Sequence, residues 1–348
     1  MMRSLFSAVS GLKSNQTAMD IIGNNIANVN TIGYKTSRTV FQDIFSQTIA
    51  SATAPTATTG GSNAKQVGLG VSVSTIGMNM TEGSTQSTSN PLDFAIAGEG
   101  FFIVDDGSGT LKYTRAGAFT LDAEGYLVDG NGNYILGVSN ISGPTNANGL
   151  NIGTDYAATG DPFDDSTTTP AFTDNPNSAI ENTDVKNLVP ANLTRIQITG
   201  NIMVDDGTGT LVPGKYDLDG DHTTTGDIVD LTGLTGYTVD SKGVIQALTA
   251  SGDTVTVGRL ALATFNNTGG LEKVGSSYYV ESSNSGEAQY NFAGNHCGEL
   301  KGGSLEMSNV DLSTELTNMI ITQRGFQANS RVITTTDSML EELINLKR

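Results

Sequence analysis

Apolar residues recur every seven positions at both ends of the chain, and the long stretch between them is patterned like β-structure. Leu5, Leu12, Met19 and Ile26 form one row near the start, and Ala8, Asn15, Ile22 and Val29 form a second, with Asn15 its one polar member. Near the end Leu312, Met319, Phe326, Ile333 and Leu340 repeat without a gap, and Leu316, Ile320, Leu343 and Ile344 widen that stripe. A seven-residue period keeps one side of a helix against a partner along its whole length. No proline interrupts residues 1–54 and none follows Pro213, so neither helix is broken. The pattern predicts terminal helices over 1–30 and 310–348. The first, spanning 4–29, is stopped by Asn24, Asn25, Asn28 and Asn30 ahead of Gly33, residues that tolerate the left-handed conformation. The two ends either pair with each other to close a domain or pack against their copies in neighbouring molecules. Ile320 and Leu343 lie beside the main seam and favour more than one partner, hence packing between molecules. Helical ends without neighbours bury too little to offset their chain entropy, so the free subunit is expected to order them only on assembly.

Between the helices the period drops to two. Residues 31–67 read as a connector: Val40, Phe41, Ile44 and Phe45 suggest a short helical or extended piece, and Ser51 to Asn63, rich in Ala, Thr and Gly, an extended one. Residues 68–140 and 233–309 read as one discontinuous β-domain. Its first half has strands around Val71–Ile76, Phe94–Ile96, Phe101–Val104, Leu111–Tyr113, Phe119–Leu121, Tyr126–Val128 and Tyr134–Leu136, with turns at Asp105–Gly109, Asp122–Gly125 and Asp129–Gly132. Its second half has strands at Tyr237–Val239, Val244–Leu248, Thr254–Val257, Leu260–Phe265 and Tyr278–Val280. Residues 141–232 hold six of the eight prolines and read as an inserted outer domain. Within them, residues 204–211 echo residues 104–111, which shared hairpin chemistry explains better than a repeat. The fold class expected is mainly β with α-helical termini, the β-domains nested between coiled-coil-like helices.

Charge sharpens this picture. The chain carries a formal −18, which disfavours nucleic acid and anionic membrane surfaces as partners. Residues 141–232 alone hold fourteen acids against Lys186, Arg195 and Lys215, whereas the helical ends are nearly neutral. Near-neutral ends suit self-association, and a strongly acidic segment suits water. No apolar run is long enough to cross a membrane, and the first thirty residues lack the pattern of a cleavable export signal. Cys297 is the single cysteine, so no internal disulfide forms.

Catalytic chemistry is thin. His222 and His296 are the only histidines, and Cys297 beside His296 makes no thiolate pair if adjacent strand residues point to opposite faces. Asp217, Asp219 and Asp221 open like a calcium loop, but His222 and Ile228 occupy the positions that need Gly and Glu. Asp129–Asn133 fails in the same way. Gly107 and Gly109 precede no Lys-Ser/Thr pair and make no phosphate loop. No catalytic, metal or cofactor residues are assigned. The competing class is a secreted β-rich enzyme or an adhesin binding through loops of 141–232.

The stretch Ala27-Asn28-Val29-Asn30-Thr31-Ile32-Gly33-Tyr34-Lys35 resembles the signature of the bacterial flagellar rod and hook axial proteins. Ser10-Gly11-Leu12 and Ile22–Ile26 fit the same family. Leu305–Leu312 and Met319–Ser330 resemble its C-terminal block. The signature residues are Ala27, Asn28, Asn30, Thr31 and Gly33. The resemblance covers roughly residues 1–140 and 233–348, and the sizeable insertion favours the hook branch over the distal rod. It implies a structural subunit, exported through the flagellar type III apparatus, that polymerises with itself into a curved tube acting as a universal joint. The partners it implies are the hook cap, the distal rod and the hook–filament junction proteins. The residues expected to carry polymerisation are Leu5, Leu12, Met19, Ile22, Ile26, Val29, Leu312, Leu316, Met319, Phe326, Ile333, Leu340 and Ile344.

Overall fold

A computed structural model describes residues 2–55, 60–107, 109–139, 193–198, 236–248, 254–294 and 297–346, with the short strands 203–205, 211–213, 215–217 and 228–230. The chain divides into two compact units. One comprises residues up to Asn30, Lys35–Thr81 and Ser308 onward; the other comprises Thr31–Tyr34 and Glu82–Met307.

The first unit contains both long helices, α1 (Met2–Ala27) and α2 (Leu312–Asn345), and four strands. α1 runs past the first two asparagines expected to stop it, with Asn24 and Asn25 in its last turn, and Asn28 Nδ2 donates at 2.9 Å to the Asn24 carbonyl, which also accepts the Asn28 N–H at 3.2 Å. Val29 therefore lies in the turn past the helix, not on the second apolar row. Asp311 caps α2 with its side chain accepting from the Ser313 N–H at 3.0 Å and the Thr314 hydroxyl at 2.7 Å.

The segment expected to be a connector is a hairpin arm. β1 (Ser37–Asp43) pairs antiparallel with β4 (Val71–Met78), and β2 (Ser46–Ala50) with β3 (Lys65–Gly68). The Thr53–Ser62 bridge carries the pairing outward, inside the stretch read as extended. Thr-, Val- and Ile-bearing strands pair along the described residues of the arm, and pairing satisfies backbone groups that an extended connector leaves to water. Val40, Phe41, Ile44, Phe45 and Ile49 are exposed on this arm, Phe45 at 74%.

In the second unit an antiparallel sheet is ordered 236–239, 244–248, 254–264, 134–139, 101–105, 111–114, 278–280 and 272–275. The two separate strands expected over 254–265 form one eleven-residue strand, Thr254–Thr264. This strand pairs with 244–248 and 134–139 along one stretch and with 101–105 and 289–292 along another. One strand serving four partners curls the sheet around a core of Phe94, Ile96, Phe102, Phe119, Ile135 and Leu262. Phe102 and Phe119 meet edge to face at 5.1 Å.

The expected insertion is narrower than 141–232 on the described residues. Leu193, Ile196 and Ile198 are buried in this core, and Thr194–Arg195 pairs with Leu136–Gly137. Arg195 reaches Asp105 at 2.9 Å and lies over the Tyr134 ring. The echo between residues 104–111 and 204–211 is a shared hairpin register: Asp105 faces Leu111, and Asp205 faces Leu211. His222, His296, Asp219 and Asp221 fall outside the described residues, as do 141–192.

Candidate functional site

The two terminal helices pair within the subunit, and small residues decide how. Both carry the same tetrad ends: Gly11 and Asn15 in α1, Gly325 and Asn329 in α2. A Cβ on Gly11 would lie 2.7 Å from Asn329 Nδ2, and one on Gly325 would lie 3.2 Å from Asn15 Nδ2. Asn25 meets Glu315, its Nδ2 donating to Oε1 at 3.2 Å. Each step forward along α1 matches an equal step back along α2, so the helices are antiparallel. Asn15, the misfit of the apolar row, sits where the facing helix offers a glycine.

The less exposed side of α2 runs through Glu315, Met319, Thr322, Phe326, Asn329, Ile333, Thr336 and Leu340, alternating steps of four and three. Glu315 and Asn329 on that side touch α1, so the seven-residue seam is directed into the subunit's own helix pair. On α1 the buried side is Ala8, Gly11, Ser14, Ala18, Ile22 and Asn25; of the expected residues on the helix only Ile22 is buried, while Leu5, Leu12, Met19 and Ile26 are half-buried, as is Val29 in the turn beyond it. The remaining expected residues lie elsewhere. Leu312, Leu316 and Ile344 are exposed on α2, together with Ile320, Ile321, Val332, Met339 and Leu343. Monomeric proteins rarely leave so long an apolar row in water.

The hairpin arm is held to α1 by serines and an asparagine. Ser10 Oγ accepts from Val71 N–H at 3.2 Å, and Gly70, at φ +137°, brings the strand so close that a Cβ would fall 2.2 Å from that oxygen. Beside it a crevice of about 460 Å³ is lined by Ser7, Ser14, Asn15, Phe41 and Asn329 among others. Burial near Asn25, with Asp311 adding like charge, pushes the Glu315 carboxyl up from its ordinary value. The capping hydrogen bonds from Thr314 and Ser313 hold the Asp311 carboxyl below it.

The signature residues form the junction after α1. Gly33 has φ +67° and donates its N–H to the Glu306 carbonyl at 2.8 Å, and any Cβ there would lie 2.7 Å from the Arg115 and Ala116 backbone. Only glycine meets both demands. Ala27 closes α1, Asn28 caps it, and Thr31 accepts the turn bond from Tyr34 at 3.3 Å, leaving Asn30 exposed between them. Lys35 is fully buried, its Nζ donating to the Thr81 carbonyl at 2.7 Å. Arg115 and Glu306 form a buried ion pair at 3.3 Å, completed by the Gly98 carbonyl and the Gly83 N–H.

The chemistry-bearing candidates are used structurally. Asp129 accepts from the N–H groups of Asn131 and Asn133 at 2.8 and 3.1 Å and from the Tyr278 hydroxyl. Its carboxylate closes a turn instead of facing an ion. Burial pushes the Cys297 thiol up to about 11, away from the thiolate that reactivity needs. Among the described residues no group of His, Cys, Asp or Glu is arranged to hold a metal.

Residues 5–35 match the family described as flagella basal body rod protein, residues 95–156 the flagellar hook protein FlgE/F/G D1 domain, and residues 301–346 the flagellar basal body rod FlgEFG protein C-terminal. The flagellar basal-body rod protein FlgG of Bacillus subtilis (strain 168) is 39% identical over the full length of both chains. The chain belongs to the flagellar rod and hook protein family. The flagellar hook protein FlgE of Borreliella burgdorferi is 35% identical, and that of Treponema pallidum 33%, each again over the full length of both chains. As a member of the rod and hook family the protein is a non-catalytic axial subunit of the flagellum that assembles with copies of itself. Sequence reasoning takes Asn25 for a helix stop and Lys35 and Asn309 only for parts of the family resemblance, and it misses the Arg115–Glu306 pair. The glycine–asparagine tetrads and the polar break at Asn15 were the readable signal for the helix register.

Proposed function

We propose that this chain is the subunit of the flagellar hook, polymerising into a curved, flexible tube that couples rod to filament as a universal joint. The observation that carries the reading is full-length similarity to hook proteins in a chain whose C-terminal helix presents an unpartnered apolar row. In this reading Leu312, Leu316, Ile320 and Ile344 meet neighbouring subunits, while Met319, Phe326, Ile333 and Leu340, with Leu5, Leu12, Met19, Ile22 and Ile26, build the helix pair that presents them. Contacts that repeat head to tail without closing a ring yield an open helical polymer. Residues 31–67 and the acidic insertion lie outside the tube of terminal helices, and sliding between β-domains supplies the bending. The subunit leaves the cell through the flagellar type III apparatus, and it meets the hook cap, the distal rod and the hook–filament junction proteins.

A second reading, the distal rod, is favoured by the Bacillus subtilis relative named FlgG, which aligns over 353 positions against 445 for the Borreliella hook protein. Immunogold labelling of isolated hook–basal bodies tests both. Label along the curved tube supports the hook; label confined to the straight rod overturns it in favour of the second reading.

A further inference from the structure

The root of the hairpin arm is closed by one backbone hydrogen bond and, where its return partner would stand, by a side chain. Asn79 N–H donates to the Thr36 carbonyl at 2.8 Å, so these two residues face each other one step beyond the β1/β4 ladder. In a regular ladder Thr36 N–H would return that bond. It donates instead to Asn309 Oδ1 at 2.8 Å, while Asn309 Nδ2 donates to the Asn79 carbonyl at 2.9 Å. The carboxamide of Asn309, three residues before α2, thus stands in for a peptide group inserted between the two strands. Its Nδ2 also donates to the Thr81 carbonyl at 3.1 Å.

Ser37, the next residue, sits at the alternate ladder position, with its N–H and C=O turned away from β4. Both are taken by one side chain from α1. Asn25 Oδ1 accepts from Ser37 N–H at 3.1 Å, and Asn25 Nδ2 donates to the Ser37 carbonyl at 2.9 Å. The same Nδ2 donates to Glu315 Oε1 at 3.2 Å on α2, and Asn25 is only 1% exposed. One carboxamide therefore joins α1, β1 and α2, and a second joins both strands to the segment that leads into α2.

We propose that Asn25 and Asn309 are a coupling device: they make the order of the hairpin arm conditional on the pairing of the two terminal helices. With the helices apart, Asn25 loses the Glu315 carboxylate and Asn309 loses the docked helix it leads into, so both surrogate peptide groups lose their placement and the arm keeps only its contacts along α1, where a two-stranded hairpin is marginal in water. The arm with its exposed Phe41, Ile44 and Phe45 is then presented in a fixed pose only by a subunit whose two ends have met. The coupling needs no polymer, so it stands or falls independently of the hook reading.

Hydrogen exchange on the full-length monomer, resolved to β1, β4 and α2, tests it. Gly11→Val/Gly325→Val crowds both crossing points, where a Cβ alone would lie 2.7 Å from Asn329 Nδ2 and 3.2 Å from Asn15 Nδ2, and so parts the helices about 15 Å or more along α1 from Asn25 without altering any root residue. The expected result is that root amides around Ser37 and Asn79 lose protection in step with those of α2. Retained root protection beside an unprotected α2, in this variant or in the wild type, overturns the proposal. The double variant Asn25→Ala/Asn309→Ala supplies the converse: root amides exchange at least about tenfold faster, the loss of one net hydrogen bond or more, while α2 around Asn329 keeps its protection. Unchanged root exchange in the double variant also overturns it. Sedimentation of the same samples scores polymerisation separately.

Discussion

Replacing Ile320 with Asp separates assembly from folding. Ile320 is 58% exposed on α2, so the subunit alone leaves most of its side chain in water. Burying an isoleucine completely is worth about 1.5–3 kcal/mol, which puts the share still available to an interface at about 1–2 kcal/mol. Aspartate forfeits that gain and places an unpaired carboxylate in the contact, a cost of several kcal/mol. Together they amount to about 4 kcal/mol per contact, or roughly a thousandfold rise in the concentration at which polymer forms. The monomer should hardly notice, because exposed substitutions fall within about 0.5 kcal/mol. Ile333→Asp is the control: its side chain is half-buried on the α1 side of α2, so it should cost helix content in the monomer before any assembly begins. Circular dichroism of the monomers, followed by sedimentation under polymerising conditions, reads both effects. If Ile320→Asp polymerises at the wild-type concentration, the exposed row is not an interface. If Ile333→Asp keeps full monomer helicity, the seam is not directed into the subunit.

Arg115→Ala should lower the urea stability of the subunit by about 3–5 kcal/mol, because it strands the Glu306 carboxylate, which is 0% exposed; a change under 1 kcal/mol would show the pair to be dispensable. Ser276 and Ser277 hold φ of +49° and +62° in the two-residue turn between 272–275 and 278–280, a mirror-image turn that prefers Asn-Gly. Ser276→Asn/Ser277→Gly should therefore raise stability by about 1 kcal/mol, measured as a shift in thermal midpoint; an unchanged or lower midpoint would refute the strain argument. Cys297, with its thiol pushed up from 9.0 to about 11 by burial, should react with iodoacetamide at pH 8 about a hundredfold more slowly than in urea. By the same linkage its contribution to stability is full below pH 9.0, the unfolded value, and is lost as pH rises towards 11. Equal alkylation rates in the folded and unfolded protein would contradict the burial.

How much was legible in the sequence depended on the range of the interaction. The helix ends, the strands from Phe94 to Leu136 and the hairpin register shared by Asp105 and Asp205 follow from local rules: periodicity, glycine- and aspartate-rich turns, and capping residues. Gly33 could be flagged from sequence because its neighbours punctuate a helix, but its second requirement, close approach to the Arg115 backbone, is a contact across eighty-two positions. The Ser51–Asn63 stretch was misread because nothing local distinguishes an extended connector from the two arms of a hairpin. Only the pairing of residues far apart in the chain does so. The insertion is narrower than it was read for the same reason, since Leu193–Ile198 joins the core by pairing with the strand Tyr134–Ser139.

Seven-residue spacing dictates that each end of the chain is a helix with an apolar side, because the period is a property of one helix and needs no partner. Which partner that side meets is not encoded in the period. The antiparallel fit of Gly11 with Asn329 and Gly325 with Asn15, and the single carboxamide of Asn25 shared among two helices and a strand, exist only once the two ends have come together. Steric room beside a glycine and the geometry of a shared hydrogen bond belong to pairs of segments, so they were settled in three dimensions.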